Sequence, residues 1–418
     1  MKIAIVSPFP PSNGTLNEYA YHLVQHLSVK PDVEEIVLIT DKLPEQKEYE
    51  LPDFKVPVSV KDVWEFNKLT NPVKILRAIY NSQPHVVFYN LQFLSFGDKK
   101  VSAALGLLIP FLSKLMGFPS VVLLHNITET VDLESAGITS NPVLKFIFAM
   151  TGTLLTKILL GANLLTVTIS KYVKVLENKY KAKNVALVPH GSFELPPIPD
   201  FENGQGMKQI MAFGKFGTYK KVEEMIEAVD LLRKRHNERI EIVIAGSDSP
   251  NAKGYLESVA YRYQDMADLV FTGYVAEEDV PRIFRESTVV VFPYTSTTGS
   301  SGVLHQAGSY GKPAVLPDIG DLQHLVREEG YNGEFFLPGK VEDLAGAIER
   351  VLYDETNRIS LSRKNYAAAA SLPMADIADW YLMHFKSLIN KKKRATVKNI
   401  PWRSFWPTSQ QEIEPAGM

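Results

Sequence analysis

The stretch FPYTSTTGSSGVLHQAGSYGKPAVLPDIGDL, Phe292 to Leu322, decides how this chain of 418 residues is read. An apolar run ending at Phe292 leads into Gly299, Ser300, Ser301 and Gly302. A helix opens at Val303, and Gly311-Lys312-Pro313 ends it before the run PAVLP. Strand, small-residue turn, helix and strand make one unit of a parallel α/β sheet. Free N–H groups at such a helix start, with glycines allowing close approach and the dipole's positive end behind them, favour an anion there. An ordinary strand-to-helix turn uses the same residues, so this stretch by itself leaves both readings open.

The same alternation extends outward in both directions. KIAIVS, EEIVLIT, HVVFYN, PSVVLLH and NLLTVTIS in the first half, and QIMAFG, IEIVIAG, LVFTGY, TVVVFPY and PAVLP in the second, are short β-branched runs set between helical patterns. Near-continuous apolar strands are buried on both faces, which implies a parallel sheet, twice. Between the halves, GSFELPPIPDFENGQGM (Gly191 to Met207) has three prolines, three glycines and no periodicity, and reads as a linker. The length also favours two domains. The expected fold class is α/β, with two doubly wound Rossmann-like domains facing across a cleft. The expected units are residues 1–195, residues 196–373, a crossing helix over 374–391 and a tail over 392–418. Further helices are expected over Leu144–Leu160, Lys221–Arg233 and Val341–Leu352.

Three other segments point at the cleft, because ligands of such sheets sit beyond the carboxyl ends of the strands. In MAFGKFGTYKKVEEMIEA a strand delivers Gly214 and Lys215, and Lys220 and Lys221 are expected at the start of the next helix. Cations are disfavoured there by the helix dipole, so the cluster asks for some compensation, such as a bound anion, although taken alone solvated lysines account for it. With the Gly299 turn these lysines come from one sheet and can converge on one diphosphate. SPFPPSNG places Gly14 in a stiff loop after the first strand, and His125 ends the strand SVVLLH at the same edge.

Composition excludes several alternatives. With 45 basic and 47 acidic residues, the formal net charge of -2 argues against a nucleic-acid partner. The chain has no cysteine, hence neither disulfides nor thiolate metal sites, which suits a cytoplasmic home. The opening apolar run is too short for a signal-peptide core. No Gly-x-Gly-x-x-Gly follows the first strand and no Walker loop occurs, which disfavours dinucleotide and P-loop chemistry. Val101–Ser113 and Phe146–Thr156 are apolar, and either buried helices or helices lying on a membrane surface account for them. From Lys391 onward six basic residues face two acidic ones, with Trp402, Phe405 and Trp406 interleaved. That tail suits an anionic membrane at the inner face, or packing on the fold.

Taken together, PFPPSNG with Gly14, the strand-end His125, Ser170 in TVTISKYV, VPHG with Gly191, FGKFGTYKK, IAGSD with Gly246, and GSYGKP resemble the family 4 glycosyltransferases over Lys2 to about Phe385. The resemblance implies a GT-B fold and a retaining enzyme that uses a nucleotide-diphosphate sugar without metal or cofactor. It implies an N-terminal acceptor-side domain and a C-terminal donor domain. Donor contacts fall to Gly14, Gly214, Thr298, Gly299, Ser300, Ser301, Gly302, Val303 and Gln306, and catalytic roles to His125, Lys215 and Lys220. The acceptor would be a glycan or lipid-linked hydroxyl, as in polysaccharide or glycolipid biosynthesis. The family's two signature glutamates are absent: Thr298 and Gln306 stand at their positions, counted back from Gly311-Lys312-Pro313. A catalytically silent protein that binds a nucleotide sugar, or scaffolds a partner transferase, is the alternative this departure raises.

Overall fold

The computed structural model describes residues 1–390, apart from 13, 15, 44–48, 50, 131–140, 203–205, 250–251 and 297–298. Thr298 and the basic, aromatic tail therefore lie outside the described residues.

The first sheet contains β1 (Lys2–Val6), β2 (Glu35–Asp41), β3 (Val58–Trp64), β4 (Val86–Leu91), β5 (Ser120–Leu124), β6 (Leu164–Val167) and β7 (Val185–Leu187). Its order is β3-β2-β1-β4-β5-β6-β7, with every pairing parallel. Around it lie α1 (Asn17–Ser28), α2 (Asn71–Ser82), α3 (Lys100–Leu107), α4 (Ile109–Leu115), α5 (Pro142–Leu159) and α6 (Ser170–Tyr180). The second sheet contains β8 (Lys208–Phe216), β9 (Ile240–Asp248), β10 (Leu269–Gly273), β11 (Val289–Val291), β12 (Ala314–Pro317) and β13 (Gly333–Phe336). Its order is β10-β9-β8-β11-β12-β13, again parallel throughout. Its helices are α7 (Glu223–His236), α8 (Tyr255–Arg262), α9 (Val280–Glu286), α10 (Gly302–Ser309), α11 (Gly320–Glu329), α12 (Val341–Tyr353) and α13 (Glu355–Ala370), and α14 (Met374–Asn390) closes the described chain.

The two parallel sheets expected from the apolar runs are present. Those runs do not reveal β3, β7 or β13, and all three are edge strands. An edge strand buries less of itself and needs no continuous apolar run: β3, VSVKDVW, carries exposed Lys61 and Asp62 at its centre. In each sheet the strand order reverses at one place, between β1 and β4 and between β8 and β11. The loops that leave β1, β8 and β11 emerge at these switch points, where ligands of such sheets bind.

Two local expectations change. The helix read from Lys221 begins at Glu223, with Val222 as its cap and Glu223 and Glu224 in its first turn. Lys220 instead pairs in a bridge with Tyr294. The lysines therefore precede the helix, which has its own acids at the dipole's positive end. The apolar stretch Val101–Ser113 becomes α3 and α4, with Ala103, Leu107 and Ile109 buried, whereas Phe146–Thr156 falls within α5 and is mostly exposed.

After the second domain the chain returns to the first, with a bridge between Ser192 and Pro373 marking the crossing. Trp380, Tyr381 and Phe385 of α14 are buried in the core formed with β1, β4 and α1, and the Tyr381 ring lies 4.8 Å from that of Phe88. At about 1.5–3 kcal/mol per buried large side chain, α14 is an integral layer of the first domain rather than an appendage.

Candidate active site in the interdomain cleft

The loops that leave the switch points of the second sheet meet one another. A Cβ placed on Gly214 would sit 2.9 Å from the Lys220 Nζ and 3.8 Å from Val303 Cγ2. Lys220 is only 8% exposed, and its ammonium lies 4.8 Å from the centre of the Tyr294 ring. No carboxylate reaches it at ion-pair distance among the described residues. A buried cation that lacks such a partner is costly, so this position fits one that receives an anion.

Across the cleft, α1 presents Glu18 one turn beyond the Gly14 loop. Enclosure between the domains raises the Glu18 carboxyl above its ordinary range although the residue still reaches solvent. Glu277 raises it further, and Lys215, His22 and Lys220 oppose the shift. Both lysines therefore act on the rim of the Gly14 loop. That loop is tied down by Ser12, whose hydroxyl donates to Asp41 Oδ2 at 2.5 Å and accepts from the Gly14 N–H at 3.1 Å. His22 adds a domain-to-domain contact, its Nε2 lying 3.5 Å from Glu277.

The other side of the cleft is a seam of rings. Asn90 at the end of β4 donates to Ser7 Oγ and to the Leu16 carbonyl, which leaves its Oδ1 to accept from His125 Nε2 at 2.7 Å. His125 Nδ1 thereby carries the lone pair, and burial, reinforced by neighbouring His190, holds the ring neutral well below the usual imidazole range. Tyr19 packs edge-on to both His125 and His190, at 4.9 and 5.0 Å, and His190 stacks on His305 of α10 at 4.9 Å. His190 Nδ1 donates to the Gly191 carbonyl, so its bare Nε2 faces the start of α10, 3.4 Å from a Cβ placed on Gly302. The positive helix end favours that lone pair over a proton, in line with a value pushed down to about 4 by burial.

His305 contacts the Tyr331 hydroxyl through Nδ1 at 2.9 Å, and Ser300 Oγ through Nε2 at 3.1 Å. The carboxylate of Glu329 lies 3.3 Å from the same Nε2. Burial, then the charge of Glu328, raises Glu329 well above the carboxylate range, so the His305–Glu329 pair is held without net charge. The turn before α10 leans on the first domain. Gly299 has φ 92°, its N–H donates to the Tyr172 hydroxyl at 2.7 Å, and a Cβ there would lie 2.4 Å from the His125 carbonyl oxygen. Only glycine meets both conditions. Ser170 donates to Glu328 beside this contact.

The cleft thus brings together Gly14, Gly214, Lys215, Lys220 and Val303 on its charged side, and His125, Gly299, Ser300 and Gly302 along the ring seam. Ser301 points inward, 3.3 Å from the buried Tyr294 hydroxyl. Gln306 lies half-buried one turn along α10 from Gly302. Sequence reasoning missed Tyr19, Asn90, Tyr172, His190, His305 and Glu329. VPHG was singled out for its glycine, and the neighbouring histidine was the available signal. Glu328-Glu329 reads as an ordinary solvated helix end, and only the tertiary fold buries the second carboxylate. No cluster of three or more metal-ligating side chains occurs among the described residues.

Two facing doubly wound domains with loops meeting at the switch point make up the GT-B architecture. Residues 207–354, from β8 through α12, match the family model for glycosyl transferases group 1. An uncharacterized glycosyltransferase of Methanocaldococcus jannaschii is 30% identical over 148 residues, which is 35% of this chain and 36% of that relative. The chain therefore matches only about a third of that relative's length. The fold extends much further. Sucrose-phosphate synthase from Thermosynechococcus elongatus aligns over 94% of this chain and 100% of its own, with TM-score 0.72 and 16% identity. HepE of Anabaena in complex with UDP-glucose aligns over 93% and 100%, with TM-score 0.64 and 15% identity.

Proposed function

We propose that this protein transfers a sugar from a nucleotide-diphosphate donor to an acceptor hydroxyl of a glycan, glycolipid or small molecule, with retention and without a metal. The observation that carries this reading is the convergence of Lys215, buried Lys220 and the start of α10 opposite the Gly14 loop. The family match of residues 207–354 supports it, as does the likeness in fold to HepE, a protein seen with UDP-glucose.

In this reading the bond from the anomeric carbon to the diphosphate oxygen breaks while the acceptor oxygen bonds from the same face. The acceptor proton passes to the leaving diphosphate. Charge that develops on the diphosphate is met by the two ammonium groups and the free N–H groups at the start of α10, preset before the reaction. The neutral His125 lines the sugar side, its ring held by Asn90 and its carbonyl against Gly299. Positioning by domain closure contributes the rest.

The replacement of both signature glutamates favours one other reading, a silent protein that binds the nucleotide sugar without turnover. Titration with uridine and guanosine diphosphates tests binding, and release of nucleoside diphosphate from a panel of donors tests chemistry. In the double variant Lys215→Ala/Lys220→Ala, turnover is expected to fall by roughly 10³-fold or more with an unchanged melting temperature. Undiminished turnover in that variant would sink the site assignment. Binding by the parent with no turnover on any donor would establish the silent reading.

A further inference from the structure

Helix α5, PVLKFIFAMTGTLLTKIL, is built unlike the other apolar helices of this chain. In α14 the apolar residues are in the core, whereas in α5 only Gly152, Thr156 and Leu159 are buried. At about 3.6 residues per turn these three share one face. Val143, Ile147, Met150 and Leu154 lie on the opposite face, 64%, 38%, 60% and 59% exposed. In the first half every residue from Pro142 to Met150 except half-buried Lys145 is exposed, with Phe146 at 68% and Phe148 at 40%. A contiguous apolar patch of this kind marks an interaction surface. A protein groove covers one face of a helix, whereas a helix end whose exposed residues are all apolar and lie on several sides suits a lipid surrounding.

Charge narrows the partner. α5 carries exposed Lys157 and no acidic residue. The neighbouring α3, which packs against it, starts at the exposed pair Lys99 and Lys100. Long cationic side chains at the rim of an apolar surface keep their stems in the apolar layer and their heads at anionic headgroups. The depth is limited. The exposed half, Pro142 to Met150, would reach roughly 14 Å at about 1.5 Å per residue, half the ~30 Å hydrocarbon core. The second half is held on the domain, with Gly152 so close to Thr128 that a Cβ there would lie 2.4 Å from its hydroxyl oxygen.

We infer that α5 inserts its first half into one leaflet of an anionic lipid bilayer and so docks the first domain on a membrane surface. This stands independently of the transferase reading. The test is co-sedimentation of the full chain with vesicles of three parts phosphatidylcholine to one part phosphatidylglycerol. The parent is expected to bind them, and to bind pure phosphatidylcholine more weakly. Phe146→Glu/Met150→Glu, two changes at exposed positions, is expected to lower partitioning about a hundredfold at unchanged melting temperature. Equal binding by this variant would overturn the inference. So would complete loss of binding on deleting residues 391–418 alone, which would assign the membrane contact to the tail. A parent that is dimeric and binds no vesicles, with a monomeric variant, would assign the face to a second copy of the chain.

Discussion

On one side of the cleft Lys215 and Lys220 face Glu18 and Glu277; on the other, His125, His190 and His305 are buried in ring contacts that keep them neutral. Both sides are built from loops at strand ends of the same two sheets. The difference lies in charge. Lys220 is as buried as His125 and His190, but exposed Lys215 and Glu18 stand beside it, so that side combines mixed charges and can exchange one counter-charge for another. On the ring side a charge would be stranded, and the fold has removed it, even pairing His305 with a protonated Glu329. In the proposed transfer, the lysine side would hold the diphosphate and the ring side would hold the two domains together around it.

The sharpest way to break this comparison acts where the ring side meets the anion turn. Gly299→Ala puts a Cβ 2.4 Å from the His125 carbonyl at a φ that side chains rarely adopt. The expected cost is about 1–3 kcal/mol against the closed arrangement. It would be read as a fall of roughly ten- to a hundredfold in kcat/KM for the donor, with a smaller fall in melting temperature. Unaltered kinetics would show that the Tyr172–Gly299 contact is irrelevant to the working state.

A smaller effect follows from pH. Imidazoles in the unfolded chain take a proton near pH 6.5. In the folded chain His125, His190 and His305 refuse it, His190 down to about 4. The unfolded state therefore binds more protons, and stability falls as pH drops below about 6.5. Glu329 works in the opposite sense, since the folded state keeps a proton that the unfolded carboxylate has lost. Below about pH 6, where the unfolded imidazoles are mostly protonated, three histidines against one carboxyl leave a net slope above that of one proton, ~1.4 kcal/mol per pH unit. Melting temperatures measured between pH 7.5 and 5 test the sum, and His190→Phe should flatten the curve by about one proton's share. An unchanged slope in that variant would place the acid sensitivity elsewhere.

The lysine side was largely legible in the sequence because backbone-driven sites advertise themselves: glycines and small residues mark turns, and their order along the chain assigns them to strand ends. Lys220 shows the limit of that logic. Its inferred place at a helix start was wrong by two residues, since the bridge to Tyr294 holds it in extended backbone before the helix begins. The ring side was mostly illegible. His305 and Glu329 are far apart in sequence, and nothing in GVLHQAGS or LVREEG distinguishes a buried pair from a solvated one. Only the meeting of the end of α11 with His305 of α10, beside His190, does that. α5 stayed open in the sequence, because an apolar helix reads the same whether it lies in the core or on the surface; its exposure shows only in the fold.

The smallest expected effect returns to the lysine side. Gln306 lies one turn along α10 from Gly302, half-buried, where the resemblance to family 4 leads one to expect a glutamate. If the diphosphate rests on the start of α10, a nucleoside ribose continues along that helix past residue 306. A carboxylate accepts hydrogen bonds from ribose hydroxyls about twice as strongly as an amide does. Gln306→Glu should therefore tighten nucleoside-diphosphate binding by about fivefold, or roughly 1 kcal/mol, and leave the pH dependence of stability unchanged because the ring side is untouched. Calorimetric titration at fixed ionic strength reads the affinity. Unchanged affinity would mean that the ribose leaves the cradle in another direction, and the assignment of α10 as the nucleotide's floor would have to be redrawn even if both lysines proved essential.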